Sequence, residues 1–256
     1  MRVVIKIGTS SLTYDNGCVN IRRFEALCKI ISDIKNSGIE VILVSSGAIG
    51  MGVGKLHLPE RPKDIAGKQA CAAIGQCELM YTYDKLFSEY NHTVAQILLT
   101  APDLNSDDRR QKFINTTDRL LQLGALPIIN ENDTVATEEI VFGDNDTLAA
   151  RVAVEISADL LILLSDINGL YDSDPRINSD AKLIESVYQI DEKIEALAGK
   201  PVSKLGTGGM QTKINAAKIA TQNACDMIII NGAEPEGIYD IINGKKVGTR
   251  FYSKQN

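Results

Sequence analysis

The 256 residues contain only two histidines, His57 and His92. With no H-R-D or G-x-S-x-G context anywhere in the chain, that scarcity argues against a Ser-His-Asp hydrolase and against a protein kinase. The five cysteines are odd in number and form no C-x-x-C pair, so neither a disulfide framework nor a zinc site is signalled, and no metal ligand is assigned. Reduced thiols are expected. No apolar run approaches the roughly 18 residues that a membrane-spanning helix needs. The opening MRVVIKIGTSS is too short in its apolar part for a secretory signal and is followed by no cleavage site. These absences predict a soluble, cytoplasmic protein. The formal net charge of −6 argues against a broad basic surface for nucleic acid, so an anionic ligand has to be met by a local cluster of lysines. Repeats, low-complexity tracts and Pro-rich linkers are missing, which leaves one continuous domain as the default. Neither G-x-x-x-x-G-K-[ST] nor G-x-G-x-x-G occurs, so the chain carries no P-loop and no dinucleotide fingerprint.

What the chain does contain is 44% hydrophobic residues arranged in two alternating patterns. Short, β-branched runs read as buried strands: VVIKI at 3–7, IEVILV at 39–44, TVAQILL at 93–99, ALPIIN at 125–130, LLILL at 160–164 and DMIIIN at 226–231. Between them, stretches such as 21–35, 108–123 and 210–223 carry apolar residues near the helical period. Near-continuous apolar strands alternating with helices indicate an α/β fold, a three-layer sandwich whose central sheet is largely parallel and covered on both faces. In such sheets ligands sit where strands end and helices begin, because helix N-termini offer unpaired N–H groups there.

Three glycine-rich turns fall at such places. KIGTSS, 6–11, follows the first strand; SSGAIGMGVG, 45–54, follows the second; KLGTGGMQTK, 204–213, opens a helix. Glycine-rich loops are most often plain turns, but three at strand-to-helix junctions, two of them with a lysine, read together as phosphate sites. Lys6 within an apolar strand is the hardest to explain structurally, since burying an unpaired ammonium is costly. Lys213 on a helix has the ordinary alternative of a solvated side chain. Two acidic clusters end other apolar runs: NENDTV at 130–135, with Glu131 and Asp133, and FGDNDTLAA at 142–150, with Asp144, Asn145 and Asp146. A helix cap accounts for one such residue but not for three in a row. A kinase acting on a carboxylate needs no general base, because a side-chain carboxyl with a pKa near 4.3 is already ionised at neutral pH. Scarce histidine and abundant phosphate loops therefore fit together.

In order along the chain, KIGTSSLT, SSGAIGMG, NENDTV, FGDNDTLAA, LLSDINGLYDSDPR and GTGGMQTK resemble the amino acid kinase family, from residue 1 to about 252. The NEND and FGDND pair is most similar to the members that phosphorylate glutamate. The resemblance implies transfer of the ATP γ-phosphoryl group, with Mg2+, to the γ-carboxylate of L-glutamate, giving L-glutamyl 5-phosphate on the route to proline. It implies that Lys6 and Lys213 stabilise the transferring group and that Asp146 positions them. Ser46, Asp133 and Asn145 match glutamate-binding positions. Lys6, Ser165, Asp166 and the segment Thr207, Gly208, Gly209, Met210, Gln211, Thr212 and Lys213 match ATP-binding ones. Residues 1–150 would then hold glutamate and 151–256 ATP. Family members also suggest a homodimer or tetramer, proline as a feedback inhibitor and glutamate-5-semialdehyde dehydrogenase as a partner. Many continue into a C-terminal PUA domain, which a chain stopping at FYSKQN is expected to lack.

Bland readings stand beside these: Asp146 as an N-cap, Ser46 as a tight-turn residue, Asp166 as a turn former, and DSDPR at 172–176 as a solvated loop. Rival functions are a kinase for another small acid, such as aspartate or N-acetylglutamate, and a non-catalytic amino acid or nucleotide sensor. An acetylated amine carries no charge for Asp133 to bind, and a sensor has no need of two lysines at a transferring phosphoryl group.

Overall fold

The computed structural model describes residues 1–14, 16–136, 145–198 and 209–253. Strands β1 (Arg2–Ile7), β2 (Glu40–Val44), β3 (Val94–Leu99), β4 (Leu126–Glu131), β5 (Leu160–Ser165), β6 (Ser186–Val187), β7 (Asp226–Asn231) and β8 (Thr249–Phe251) form one sheet. Its order is β3-β4-β2-β1-β5-β7-β8-β6. All pairings are parallel except that of β7 with β8. The six strands read from the sequence are β1 to β5 and β7. The two missed, β6 and β8, have two and three residues, too short to show a period.

Side chains alternate strictly across the sheet. Val3, Ile5 and Ile7 face a layer built by α2 (Ile21–Asn36), α4 (Ile65–Ser88) and α10 (Gly237–Ile242). Val4 faces the other layer, built by α6 (Asp107–Gln122), α7 (Asn145–Glu155) and α9 (Met210–Gln222). The three layers expected from the apolar runs are present, with a core on each face of the sheet. The same parity turns Lys6, two residues after Val4, toward α7 and α9.

The helices follow local rules. Asn20 caps α2 by accepting from the Arg23 N–H at 3.2 Å, and Phe24, Leu27, Ile31 and Ile34 give it a continuous buried stripe. Asp64 caps α4 by accepting from the Gly67 N–H. α3 (Ala48–Lys55) lies against α4 at very close range: a Cβ on Gly52 would sit 1.9 Å from the Cys71 carbonyl oxygen, and one on Gly75 1.8 Å from that of Ala48. Of the later glycines of SSGAIGMGVG, Gly52 serves this helix packing and Gly54 lets the chain pass close to Gly17. Of that turn, Gly47 has the left-handed conformation (φ 97°) that glycine alone adopts freely.

Strand β1 is the topological switch point. From it the chain builds β2, β4 and β3 on one side and later β5, β7, β8 and β6 on the other. The C-terminal ends of β1, β2, β4 and β5 share an edge, and the candidate residues gather there.

Candidate active site

Lys6, in β1 opposite Val44 and Leu163, is 7% exposed; Lys213, one turn into α9, is 6% exposed; Asp146, in the first turn of α7, is fully buried. The Lys6 Nζ lies 2.6 Å from Asp146 Oδ1, and the Lys213 Nζ lies 2.9 Å from Oδ2. The Thr212 hydroxyl donates to the Gly209 carbonyl at 2.7 Å and reaches Asp146 Oδ2 at 3.3 Å. Asp146 is the second residue of its helix, and its carboxylate goes to the lysines, so the cap reading is not needed to explain it. Both lysine side chains are buried and bonded, which removes the solvated reading of Lys213. Gly8 leaves the space beside Lys6 open: a Cβ there would come no nearer than 3.9 Å to Nζ.

Asn145, the neighbour of Asp146, faces the other way, toward β2 and β4. Its Nδ2 is within 2.6 Å of the Ser45 carbonyl, 2.9 Å of Ser46 Oγ and 2.9 Å of Asn130 Oδ1. Two amide protons are shared by three acceptors. The Ser45 carbonyl can only accept, so the sense of the amide is fixed and its carbonyl oxygen is the free end among the described residues. Ser46 and Asn145, far apart in sequence, are therefore in direct contact. Asn130 Nδ2 in turn donates to Gln76 Oε1 at 2.9 Å, and Ser45 Oγ shares a hydrogen bond with the buried Tyr83 hydroxyl at 3.0 Å.

Asp133 follows β4, half-buried, and lines a cavity of about 10 Å³ with Ala48, Gln76, Glu131 and Thr134, among others. Burial pushes its carboxyl above the usual value and the Arg61 charge opposes this. Among the described residues no hydrogen bond joins Asp133 to Asn145; Gln76 lines the cavity with Asp133 and bonds Asn130, which in turn contacts Asn145. Gln76 and Asn130 were missed in the sequence. Asn130 stands in NENDTV, and the signal that would have found it is a polar amide ending an otherwise apolar strand. Gln76 lies in α4, whose glycine- and alanine-rich run gave no comparable signal.

On the other side of β1, Ser165 ends β5 almost buried; its hydroxyl donates to Asp166 at 3.2 Å and its carbonyl accepts from the Gly232 N–H at 2.7 Å. Asp166 is exposed beside it. Gly209, Met210 and Gln211 open α9, with Gln211 exposed, while Thr207 and Gly208 lie outside the described residues. Arg176 is bonded to Asp174 on the partly exposed DSDPR loop, near enough to Asp166 to feel its charge. Among the described residues no group of three His, Cys, Asp or Glu side chains is placed to hold a metal ion, and no helix is long and apolar enough to cross a membrane.

Known proteins resemble the chain in sequence and in fold. The model of the amino acid kinase family matches residues 1–231. Glutamate 5-kinase of Clostridium perfringens is 54% identical, the alignment covering 99% of this chain and 96% of that protein. Glutamate 5-kinase of Clostridium acetobutylicum is 56% identical, with 99% and 95% covered. In fold, UMP kinase from Bacillus anthracis superposes with a TM-score of 0.65 at 17% identity, covering 99% of this chain and 96% of that one. The isopentenyl phosphate kinase of T. acidophilum gives 0.61 at 18% identity, covering 98% and 100%. The chain belongs to the amino acid kinase family, in its glutamate 5-kinase branch.

Proposed function

We infer that the protein transfers the γ-phosphoryl group of ATP to the γ-carboxylate of L-glutamate, giving L-glutamyl 5-phosphate and ADP, the first step toward proline. The observation that carries this reading is the single buried carboxylate of Asp146 holding two ammonium groups at the switch point of the sheet. Phosphoryl transfer between two anions asks chiefly for positioning and for fixed positive charge where the equatorial oxygens develop theirs. Lys6 and Lys213 supply that charge, and Asp146 removes the reorganisation that free lysines would need.

The acceptor carboxylate is ionised at neutral pH and attacks without help from a base. The histidines agree: His92 reaches the Ser32 carbonyl in α2 at 3.4 Å, and His57 is exposed after α3. Mg2+ belongs to this reading as part of the MgATP substrate, carried on phosphate oxygens and water with at most one or two carboxylates. The β2–β4 side, with Ser46, Asn145 and Asp133, takes glutamate. The β5–β7 side, with Ser165, Asp166 and the first turn of α9, takes the nucleotide. Division of the sheet at β1 supports this split of the chain near residue 150. Asp133 and the Asn145 carbonyl oxygen are both acceptors, suited to the α-ammonium end of the substrate.

Three partners follow in the same reading. Proline shares the α-carboxylate and ammonium of glutamate and would compete for its site. A labile acyl phosphate calls for a reductase, glutamate-5-semialdehyde dehydrogenase, to consume it. A second copy of the chain would cover the exposed Ile74, Cys77 and Tyr81 on one face of α4. The experiment that tests the activity offers MgATP with L-glutamate, L-aspartate or N-acetyl-L-glutamate and traps acyl phosphate as the hydroxamate. Glutamate alone should give strong product; hydroxamate from another acid instead, or from none, overturns the reading.

A further inference from the structure

Asp133 stands in the turn after β4, which closes where the Val135 and Ala136 N–H groups donate to the Asn132 carbonyl at 3.1 Å and 3.0 Å. Helix α4 runs along this turn. Gln69 Nε2 donates to the Ala136 carbonyl at 3.2 Å, and Ala72 and Gln76 line one small cavity with Asp133 and Thr134. The start of α4 is fixed as well. Asp64 accepts from the Gly67 N–H at 2.7 Å, and Pro62 packs so closely on this first turn that a Cβ on Gly67 would sit 2.7 Å from Pro62 Cβ. Arg61 comes immediately before that proline, in LPERPKD at 58–64. A residue preceding proline is confined to extended backbone, and Pro59 restricts the loop on the other side. Arg61 is thus carried on a restrained arm of the helix that packs beside Asp133.

Arg61 and Asp133 are within range of each other but are not joined. The Arg61 charge draws the Asp133 carboxyl down against the burial that raises it. Yet among the described residues neither is in an ion pair, and the half-buried Asp133 carboxylate accepts no hydrogen bond. Opposite charges held apart in this way suit a ligand that carries both signs, and the head of an α-amino acid does so on one carbon. The residues assigned so far to the acceptor substrate, Ser46, Asp133 and Asn145, include no cation, while Lys6 and Lys213 are engaged by Asp146. A guanidinium supplies the missing one, in a fork that matches a carboxylate.

We propose that Arg61 is a specificity-determining residue that binds the α-carboxylate of the acceptor substrate while Asp133 takes the α-ammonium, so that the site selects an α-amino acid over an amine lacking that carboxylate. This rests on the glutamate kinase reading above.

The test uses 4-aminobutyrate, which keeps the amine, the chain and the reacting carboxylate of glutamate and lacks only the α-carboxylate. It is offered as alternative substrate and as competitor of glutamate to wild type, Arg61→Gln, Arg61→Lys and Lys63→Gln. Arg61→Gln should raise KM for L-glutamate about tenfold, the scale of one charge-assisted hydrogen bond, with kcat and KM for ATP within about twofold. The constants for 4-aminobutyrate should hold, so the preference for glutamate falls by the same factor. Arg61→Lys should recover only part of it, since an ammonium lacks the fork. Lys63→Gln removes the same charge two residues away and should leave the preference intact; an equal loss there would assign the effect to general attraction of an anion and overturn the proposal. An Arg61→Gln variant with an unchanged KM for glutamate overturns it too, as does one that weakens 4-aminobutyrate equally. Arg61 and Lys63 are both exposed, so these variants keep the fold. A wild type that phosphorylates no glutamate fails the functional reading itself and takes this proposal with it.

Discussion

Lys6 and Lys213 stand on opposite oxygens of one carboxylate, 2.6 Å and 2.9 Å from Asp146 Oδ1 and Oδ2. One lysine comes from the central strand, the other from the first turn of α9, and the carboxylate from the first turn of α7 between them. The parity of β1 places Lys6 beneath these helices, and their packing brings the three together. A buried ion-pair cluster of this kind is weak evidence for stability, because desolvation offsets much of the Coulomb attraction. It is better evidence for charges held ready where a reaction develops its own.

Lys6→Ala should lower kcat by roughly 10²-fold or more, the scale of losing one preorganised electrostatic contact, with a modest change in KM for either substrate. Steady-state kinetics with MgATP and glutamate check it. A variant with near-normal kcat removes Lys6 from the transition state.

Asp146→Asn should also depress kcat, because an amide cannot hold both ammonium groups. Asp146→Ala should in addition destabilise the fold by about 3–5 kcal/mol, since it leaves buried lysines without their carboxylate. Lys6→Ala made in the Asp146→Asn background should cost far less than in wild type, as groups that act as a unit are not additive. Independent, additive losses would show that Asp146 does not act through the lysines.

Gly52→Ala should destabilise the protein by about 1–3 kcal/mol or more in urea titrations, because its methyl would enter the Cys71 carbonyl at 1.9 Å and push α3 from α4. A Gly52→Ala variant as stable as wild type would mean that the helices part at no cost.

Much of this was legible in the sequence, and the exceptions have physical reasons. The β1, β2, β4, β5 and β7 runs are largely buried on both faces and so are nearly continuous in apolar residues, which makes them visible; β3, at the sheet edge, is only partly buried but is interrupted by a single polar residue, Gln96. β6 and β8 are fixed by pairing with distant backbone, not by their own two or three residues. Lys6 was conspicuous because a strand interior has no other use for an ammonium. Lys213 and Asp146 were harder, since each has an ordinary surface or cap role that only tertiary packing removes. Gln76 and the orientation of Asn145 were not legible at all: they depend on which backbone groups four separate elements present to each other.

Asp133→Asn should raise the melting temperature of the unliganded protein at neutral pH. Burial lifts the folded carboxyl above its ordinary 3.8, more than Arg61 lowers it, so the ionised group costs stability once the pH exceeds the folded value. The folded state binds the proton more tightly than the unfolded state, and stability falls as pH rises through this window. The gain from asparagine should be full above the raised value and fade as the pH drops toward 3.8. Melting curves of both proteins across that range test it; a gain independent of pH would assign the effect to something other than the charge.

The same residue should show the opposite balance in function. A charge-assisted hydrogen bond to a desolvated ammonium is worth about 1.5–3 kcal/mol, so Asp133→Ala should weaken glutamate binding by roughly 10- to 150-fold. KM for ATP should barely change, because the nucleotide lies across β1 on the other side of the sheet in the proposed arrangement. Asp133 and Asp146 would then separate by kind: loss of the first raises KM for glutamate, and loss of the second lowers kcat. A carboxylate held half-buried beside Gln76 at a cost in stability is intelligible if the substrate's ammonium restores its balance on binding. Kinetics on Asp133→Ala decide the point: a KM for glutamate within about twofold of wild type, less than 0.5 kcal/mol, would leave Asp133 with no part in recognising the amine and the Asn145 carbonyl as its remaining acceptor.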